Sequence, residues 1–321
     1  MTSHHSRRSF LQGLGASLAT TAFAAASSSS AAAAKPRLTI IDTHTHFYDP
    51  HRPQGVPWPP KDDQLLYRTV LPSDYQALPV PQPVAGTVVV EASPWLEDNQ
   101  WILDLAANDV FLVGFVGNLP VGKEEFARQH FRRFAAQRLF RGVRLGAGQL
   151  QQGLSNQRFR ADLNLLADRN LCLDLLGGPD MLPVVAQLAE AAPGLRMVID
   201  HVANLRIDGK APPVDWVRGM QSAARCKNVS CKVSGLVEGT GRTDGTAPRD
   251  AGFYQPVLDA IWSAFGEERL VYGSNWPVSE RFAPLATVQQ IVHDYFSAKG
   301  KTALENVFWK NAKAIYKWVN R

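Results

Sequence analysis

Cysteine is scarce in this chain. Its three residues, Cys172, Cys226 and Cys231, leave at least one thiol unpaired, and they form neither a disulfide framework nor a zinc knuckle. No long basic run is present, and a formal net charge of +5 over 321 residues carries no nucleic-acid footprint. Past the N-terminal stretch, no apolar run is long enough to span a bilayer. No linker interrupts the body of the chain, which argues against a second domain. What remains is an ordinary globular composition, 45% hydrophobic and 20% charged.

The N-terminus reads differently from the rest. "SRRSFLQGLGASLATTAFAAASSSSAAAA" has paired arginines (Arg7, Arg8), then Phe10 and Leu11, then a weakly apolar stretch and a small-residue exit. The order resembles a twin-arginine export signal, with Gln12 where lysine is often found. Residues 1–34 are therefore expected to be a signal peptide with a small-residue linker, cleaved after Ala26 or Ala34. The expected location is the periplasm, with no stable membrane insertion after cleavage. Residues 35–321 are expected to form one domain.

That body alternates. Eight short β-rich runs recur: "LTIIDTHTHF", "GTVVVEAS", "FLVGFVGN", "RGVRLGAG", "LCLDLLGG", "RMVIDHVAN", "VSCKVSGLV" and "RLVYGSNWPV". Amphipathic stretches such as "EDNQWILDLAAND" and "PVLDAIWSAFGEE" lie between most of them. Eight strands alternating with helices predict an α/β fold of the (β/α)8 TIM-barrel kind. A doubly wound open sheet is the alternative, but it usually shows a glycine-rich phosphate turn after its first strand. Here the first strand ends in histidines. One long proline-rich insert, residues 48–83, follows that strand and is expected to form a wall or lid.

In such barrels the active site lies at the C-terminal strand ends, and residues two apart point to one side. His44 and His46 are therefore expected at one mouth, with His201, which closes "RMVIDH". His130 and His293 lie in helical stretches and His51 in the insert. Three converging imidazoles suit zinc or a similar divalent ion, or a substrate's carbonyl and carboxylate oxygens. Other polar residues end strands too: Glu91, Arg144, Asp174 and Lys232. Arg144 is either a carboxylate clamp or the structural partner of Glu91 or Asp174. Lys232 is either a substrate contact or the partner of Asp174. Arg141, on the other side of its strand, is expected to be structural.

Taken in order, "IDTHTHFYDP", "VVVEAS", "RGVRLG", "VIDHVAN", "CKVSGL", "RLVYGSNWPV" and "ENVFWKNAKAIY" resemble the amidohydrolase superfamily, and within it the lactonase branch that includes fuconolactonase-like and dicarboxylate lactone hydrolases. The resemblance covers residues 38 to the C-terminus. It implies a distorted TIM barrel that hydrolyses a C–O or C–N bond, commonly in a sugar lactone or related small acid. It implies that His44, His46 and His201 bind a divalent metal or, as in some lactonases, the substrate without one. It places Arg144 at the substrate carboxylate, and Trp276 is expected at the substrate beside it.

Strand eight departs from that pattern. Many hydrolytic relatives read "GSDWP", whose aspartate takes the proton of the attacking water; this chain reads "GSNWP", with Asn275. An amide orients water or substrate but cannot take a proton near neutral pH. Glu91 or Asp174 are the remaining candidate bases, unless a metal lowers the pKa of the water itself. The expected protein is an exported hydrolase of a small molecule, most readily a lactone, with His201, Asn275, Glu91 and Asp174 as catalytic candidates. A decarboxylase on the same scaffold and a pocket that binds without turnover are the alternatives. Assembly into a homo-oligomer stays open.

Overall fold

Leu38 to Arg321 are the residues that the structure, a computed structural model, describes. The signal peptide expected over residues 1–34 lies outside them. Eight strands follow one another around a parallel sheet in chain order: β1 (Ile41–Thr45), β2 (Gly86–Val90), β3 (Leu112–Gly117), β4 (Phe140–Gly146), β5 (Cys172–Leu176), β6 (Arg196–Ile199), β7 (Val229–Val233) and β8 (Leu270–Tyr272). The sheet closes where the segment after β8 meets β1. His46 N–H donates to Trp276 O at 2.9 Å, and Asn275 N–H donates to His44 O at 2.8 Å. The result is the (β/α)8 barrel that the alternation predicts.

The strands are rich in valine, isoleucine and leucine because both of their faces are covered. Outside, they pack against helices such as Gln157–Asp168, Leu182–Ala191 and Ala251–Phe265, which turn Leu166, Val185, Leu188, Leu258 and Ile261 into the main core. A second cluster joins Val88, Val90, Val116, Cys172, Val198 and Val271 to Ala312, Ile315 and Tyr316 of the helix Asn311–Tyr316. Beyond that helix, Val319 N–H donates to Val113 O at 2.8 Å, so the C-terminal segment docks onto β3 as a plug. No helix among the described residues is long and apolar enough to cross a membrane.

One helical stretch departs from a simple amphipathic reading. Phe126–His130 winds as a π-turn before Phe131–Ala135 continues as an α-helix. A turn of that width brings residues five apart together. The rings of Phe126 and Phe131 stack at 5.1 Å, and Phe134 stacks on Phe140 of β4 at 5.7 Å. Aromatic packing sets the local winding there.

Candidate active site

The C-terminal strand ends carry two layers of polar groups. The lower layer is wholly buried and centres on Lys232 of β7. Its Nζ lies 2.7 Å from Asp174 Oδ2, 2.8 Å from Asp200 Oδ1 and 3.1 Å from His44 Nδ1. Tyr316, from the C-terminal helix, donates its hydroxyl to Asp174 at 3.0 Å. Burial alone would favour a neutral amine, but Asp174 and Asp200 outweigh it and hold the Lys232 pKa above its usual value. Burial also pushes Asp200 upward, yet Lys232 and His44 overcome it and hold that carboxyl well below the usual range. At Asp174 burial wins against Lys232, and the carboxyl sits at about 6. Lys232 is thus a fixed internal cation.

The upper layer faces a cavity of about 770 Å³ lined by His46, Glu91, Arg144, His201, Glu238 and Asn275, with Trp58 and Phe282 among its apolar walls. That volume suits a small ligand. His46 Nδ1 meets Val90 O at 3.0 Å, and its Nε2 lies 3.2 Å from Asn275 Oδ1. Asn275 Nδ2 donates to Glu238 Oε1 at 2.9 Å. Arg144 donates from Nε to Glu91 Oε1 and from its Nη2 to Glu91 O, both at 2.8 Å. Burial, reinforced by Arg144, lowers His46 to about 3. Burial lowers His201 to about 4 against the pull of Asp200. Burial, with Lys232 and His201 behind it, holds His44 well below its usual value. All three rings are neutral at pH 7.

Strand six ends in an unusual way. Residues His201, Val202, Ala203 and Asn204 all have positive φ, between 45° and 57°. For a β-branched residue such as Val202 this is a costly backbone, on the order of 1–3 kcal/mol. Its surroundings hold it there: Trp216 donates its indole N–H to Val202 O at 3.0 Å. His201 rests on Ser234, with Nδ1 at 2.9 Å from the hydroxyl, and against Gly235 (φ 66°). A Cβ on Gly235 would stand 2.6 Å from His201 Cβ, so this position needs glycine.

The donor chemistry supports a divalent metal at His44, Asp200 and His201, whose nearest ligand atoms lie within 4.8 Å of one another. His44 Nε2 is buried with no hydrogen-bond partner, which leaves it available as a ligand. His201 Nδ1 is used by Ser234, which leaves its Nε2. Lys232 bears on the same set. Its ammonium donates to His44 Nδ1, so the ring proton sits on Nε2, and a metal at Nε2 would require it to move. Metal and ammonium therefore compete for His44 and Asp200.

The geometry corrects several sequence expectations. The donor group found among the described residues is His44, Asp200 and His201, with Asp200 beside the two expected histidines, while His46 turns its nitrogens to Val90 O and Asn275. Asp174 is not positioned as a general base, and Lys232 does not reach substrate: both are fully buried and paired below the cavity. Trp276 is 1% exposed, packs near Phe47 and Tyr75, and donates its indole N–H to Glu280 at 2.6 Å, so it belongs to the core rather than to the cavity lining. Arg144 and Glu91 do line the cavity, but as each other's partner. Arg141 donates to Phe140 O and Lys317 O, a structural role. Sequence reading missed Asp200, Ser234 and Glu238.

A parallel eight-stranded barrel with neutral imidazoles, a guanidinium and carboxyls at the C-terminal mouth is the arrangement of a barrel hydrolase. Residues 41–318 match the amidohydrolase family, and the chain belongs to that family as a lactonase-like hydrolase. An L-fucono-1,5-lactonase of Burkholderia ambifaria is 32% identical over 246 residues, which cover 74% of this chain and 80% of that protein. Two solved structures of an amidohydrolase from Burkholderia multivorans share the fold. One, with bound HEPES, has TM-score 0.75 and 22% identity; the other, with bound zinc, has 0.73 and 23%. Each covers 87% of this chain and 99% of the solved one.

Proposed function

We propose that this enzyme hydrolyses an uncharged lactone of a sugar acid to the open hydroxy acid. The charge balance of the cavity carries this reading. Arg144 is the one cationic side chain in the lining among the described residues, and Glu91 sits 2.8 Å from it. A mouth whose guanidinium is already matched holds a neutral, hydroxyl-rich ring better than a carboxylate or dicarboxylate. Two of the guanidinium N–H groups serve Glu91, and those remaining can polarise a lactone carbonyl. The lactonase relative at 32% identity supports the same substrate class.

His44, Asp200 and His201 would hold a divalent metal such as zinc, which when bound polarises a carbonyl and lowers the pKa of water. The test is a panel of neutral aldonolactones and charged lactones, assayed before and after chelation with metal content recorded. Turnover of neutral lactones at ordinary enzymatic rates, on the order of 1 to 10³ per second, is the expected result. Preference for a dicarboxylate lactone would sink the charge argument. We also propose export by the twin-arginine route, on the order of Arg7, Arg8, the apolar stretch and the small-residue exit. Changing Arg7 and Arg8 together to lysine should trap the precursor in the cytoplasm, and unchanged export of that variant would count against it.

A further inference from the structure

Asn275 stands where a water-attacking hydrolase needs a proton acceptor, and an amide cannot be one near neutral pH. The nearest carboxyl comes from the neighbouring strand. Glu238 lies on the short turn Leu236–Gly239 that follows β7. It lines the cavity. Its Oε1 receives the Asn275 amide N–H at 2.9 Å, while Oε2 is buried without a hydrogen-bond partner among the described residues. An orphaned carboxylate oxygen is costly, and in a polar cavity water is its natural partner. We propose that Glu238 is the catalytic base that takes the proton of the attacking water, with Asn275 positioning it by turning its amide over as the proton arrives.

The second half follows from donor and acceptor counting. His46 Nδ1 faces the Val90 carbonyl at 3.0 Å, and a carbonyl only accepts, so that nitrogen carries the proton. Nε2 of the neutral ring is then bare, yet Asn275 Oδ1 lies 3.2 Å from it, acceptor against acceptor. Turning the amide over repairs this: Nδ2 donates to His46 Nε2, and Oδ1 faces Glu238. An amide oxygen is a good neighbour for Glu238 only when that carboxyl is protonated. The row Val90, His46, Asn275, Glu238 is therefore fully satisfied with a proton on Glu238 and mismatched at one point without it.

Burial acts in the same direction and pushes the Glu238 carboxyl up to about 7. The titratable groups around it are otherwise occupied or neutral. Tyr254, on the helix Ala251–Phe265, donates to Pro248 O at 2.8 Å, and burial raises its pKa. Glu238 and Arg242 both act on Tyr254, in opposite directions. Glu280 and Arg281, on the turn Val278–Arg281, are held by Arg68 and Asp63. His201 is neutral.

The step balances. Water oxygen bonds to the lactone carbonyl carbon, and one water proton passes to Glu238. The tetrahedral intermediate collapses by breaking the ring C–O bond, and the ring oxygen leaves with the proton from Glu238. The product acid ionises in solvent, and Glu238 is a carboxylate again.

The assignment rests on the lactone-hydrolase reading, and one set of measurements on the full-length protein separates the two. In wild type, kcat should rise with pH through a limb near 7. Glu238→Gln should lose about 10² to 10⁴-fold in kcat, keep KM within a few-fold, and lose the limb. Glu238→Asp should keep a limb at lower kcat. Glu238→Gln within tenfold of wild type, limb intact, overturns the proposal. Thermal unfolding gives a readout independent of turnover. A carboxyl whose folded pKa is raised contributes stability that is full below its unfolded pKa and is lost as pH rises through the folded one. Wild type should therefore lose stability relative to Glu238→Gln between about pH 5 and pH 7. A difference that stays flat overturns the proposal whatever the substrate. Wild type that turns over no lactone ends the lactone reading and with it the base assignment, and the unfolding comparison then decides only whether Glu238 holds the proton that the hydrogen-bond row calls for.

Discussion

At Asn275 one amide serves two neighbours with different needs, His46 at 3.2 Å and Glu238 at 2.9 Å. Asn275→Asp is nearly isosteric, so the fold should tolerate it. Its chemistry should not. Two carboxyls at hydrogen-bond distance cannot both ionise, and the pair keeps one proton to higher pH. The added acid would restore the sequence pattern of the hydrolytic relatives and yet jam the base this chain uses. At pH 7 we expect kcat to fall about tenfold or more, with the rising limb displaced upward by about one unit and activity recovering above it. A pH–rate profile on both proteins is the check. A variant faster than wild type at pH 7 would mean that the strand-eight aspartate is the missing base and Glu238 is not. The same scale explains why Asp200 escaped a reading by alternation. Neighbours on a strand face opposite ways, so His201 inward argues Asp200 outward. The left-handed turn beginning at His201 breaks that alternation and lets both residues join one donor cluster.

Among the elements, the eight strands were legible because each is a short, mostly apolar run bounded by turn residues, and each one forms. Parity along β1 was enough to send His44 and His46 to the same side, but only His46 lines the cavity, and His44 is buried beside Lys232. Depth was not legible. Asp174 and Lys232 end strands as Glu91 and Arg144 do, but the stagger of a closed barrel sets how far each strand end stands from solvent. Lys232 comes level with Val271 of β8 and sinks beneath His44, while Arg144, paired with Asp174 in register, still reaches the cavity by its length. Glu238 lies in a loop turn, where no period marks a side chain as inward. The insert of residues 48–83 is wall in part: Trp58 lines the cavity, and Arg68 and Asp63 pair with Glu280 and Arg281 of the turn after β8. Sequence composition gave its length and prolines but not those partners.

Across the whole barrel, one ammonium ties distant parts of the chain together. Lys232 of β7 holds Asp174 of β5, Asp200 after β6 and His44 of β1, and through Asp174 it reaches Tyr316 in the C-terminal plug. Removing one partner of a buried ion pair costs about 3–5 kcal/mol, because a charge is left uncompensated. Lys232→Met keeps the length and removes the charge, so its loss of stability should fall in that range at pH 7. The pH dependence has a definite sign. Without the ammonium, burial raises both carboxyls, and stability is lost as pH rises through their folded values. In wild type Asp200 is depressed, so its contribution is lost as pH falls. Between pH 5 and pH 8 the raised carboxyls of the variant shrink its deficit toward acid pH; the Asp200 loss in wild type falls below that window, and Asp174, already at about 6 in wild type, softens the trend without reversing it. Urea unfolding of both proteins between pH 5 and pH 8 measures this. Zinc gives the variant a second cation to recruit. With the competing ammonium gone from His44 and Asp200, added zinc should raise the unfolding midpoint of Lys232→Met by more than that of wild type. Equal shifts would show that Lys232 and the metal do not share those ligands, and a deficit that grows toward acid pH would show that the acids were never held ionised by Lys232.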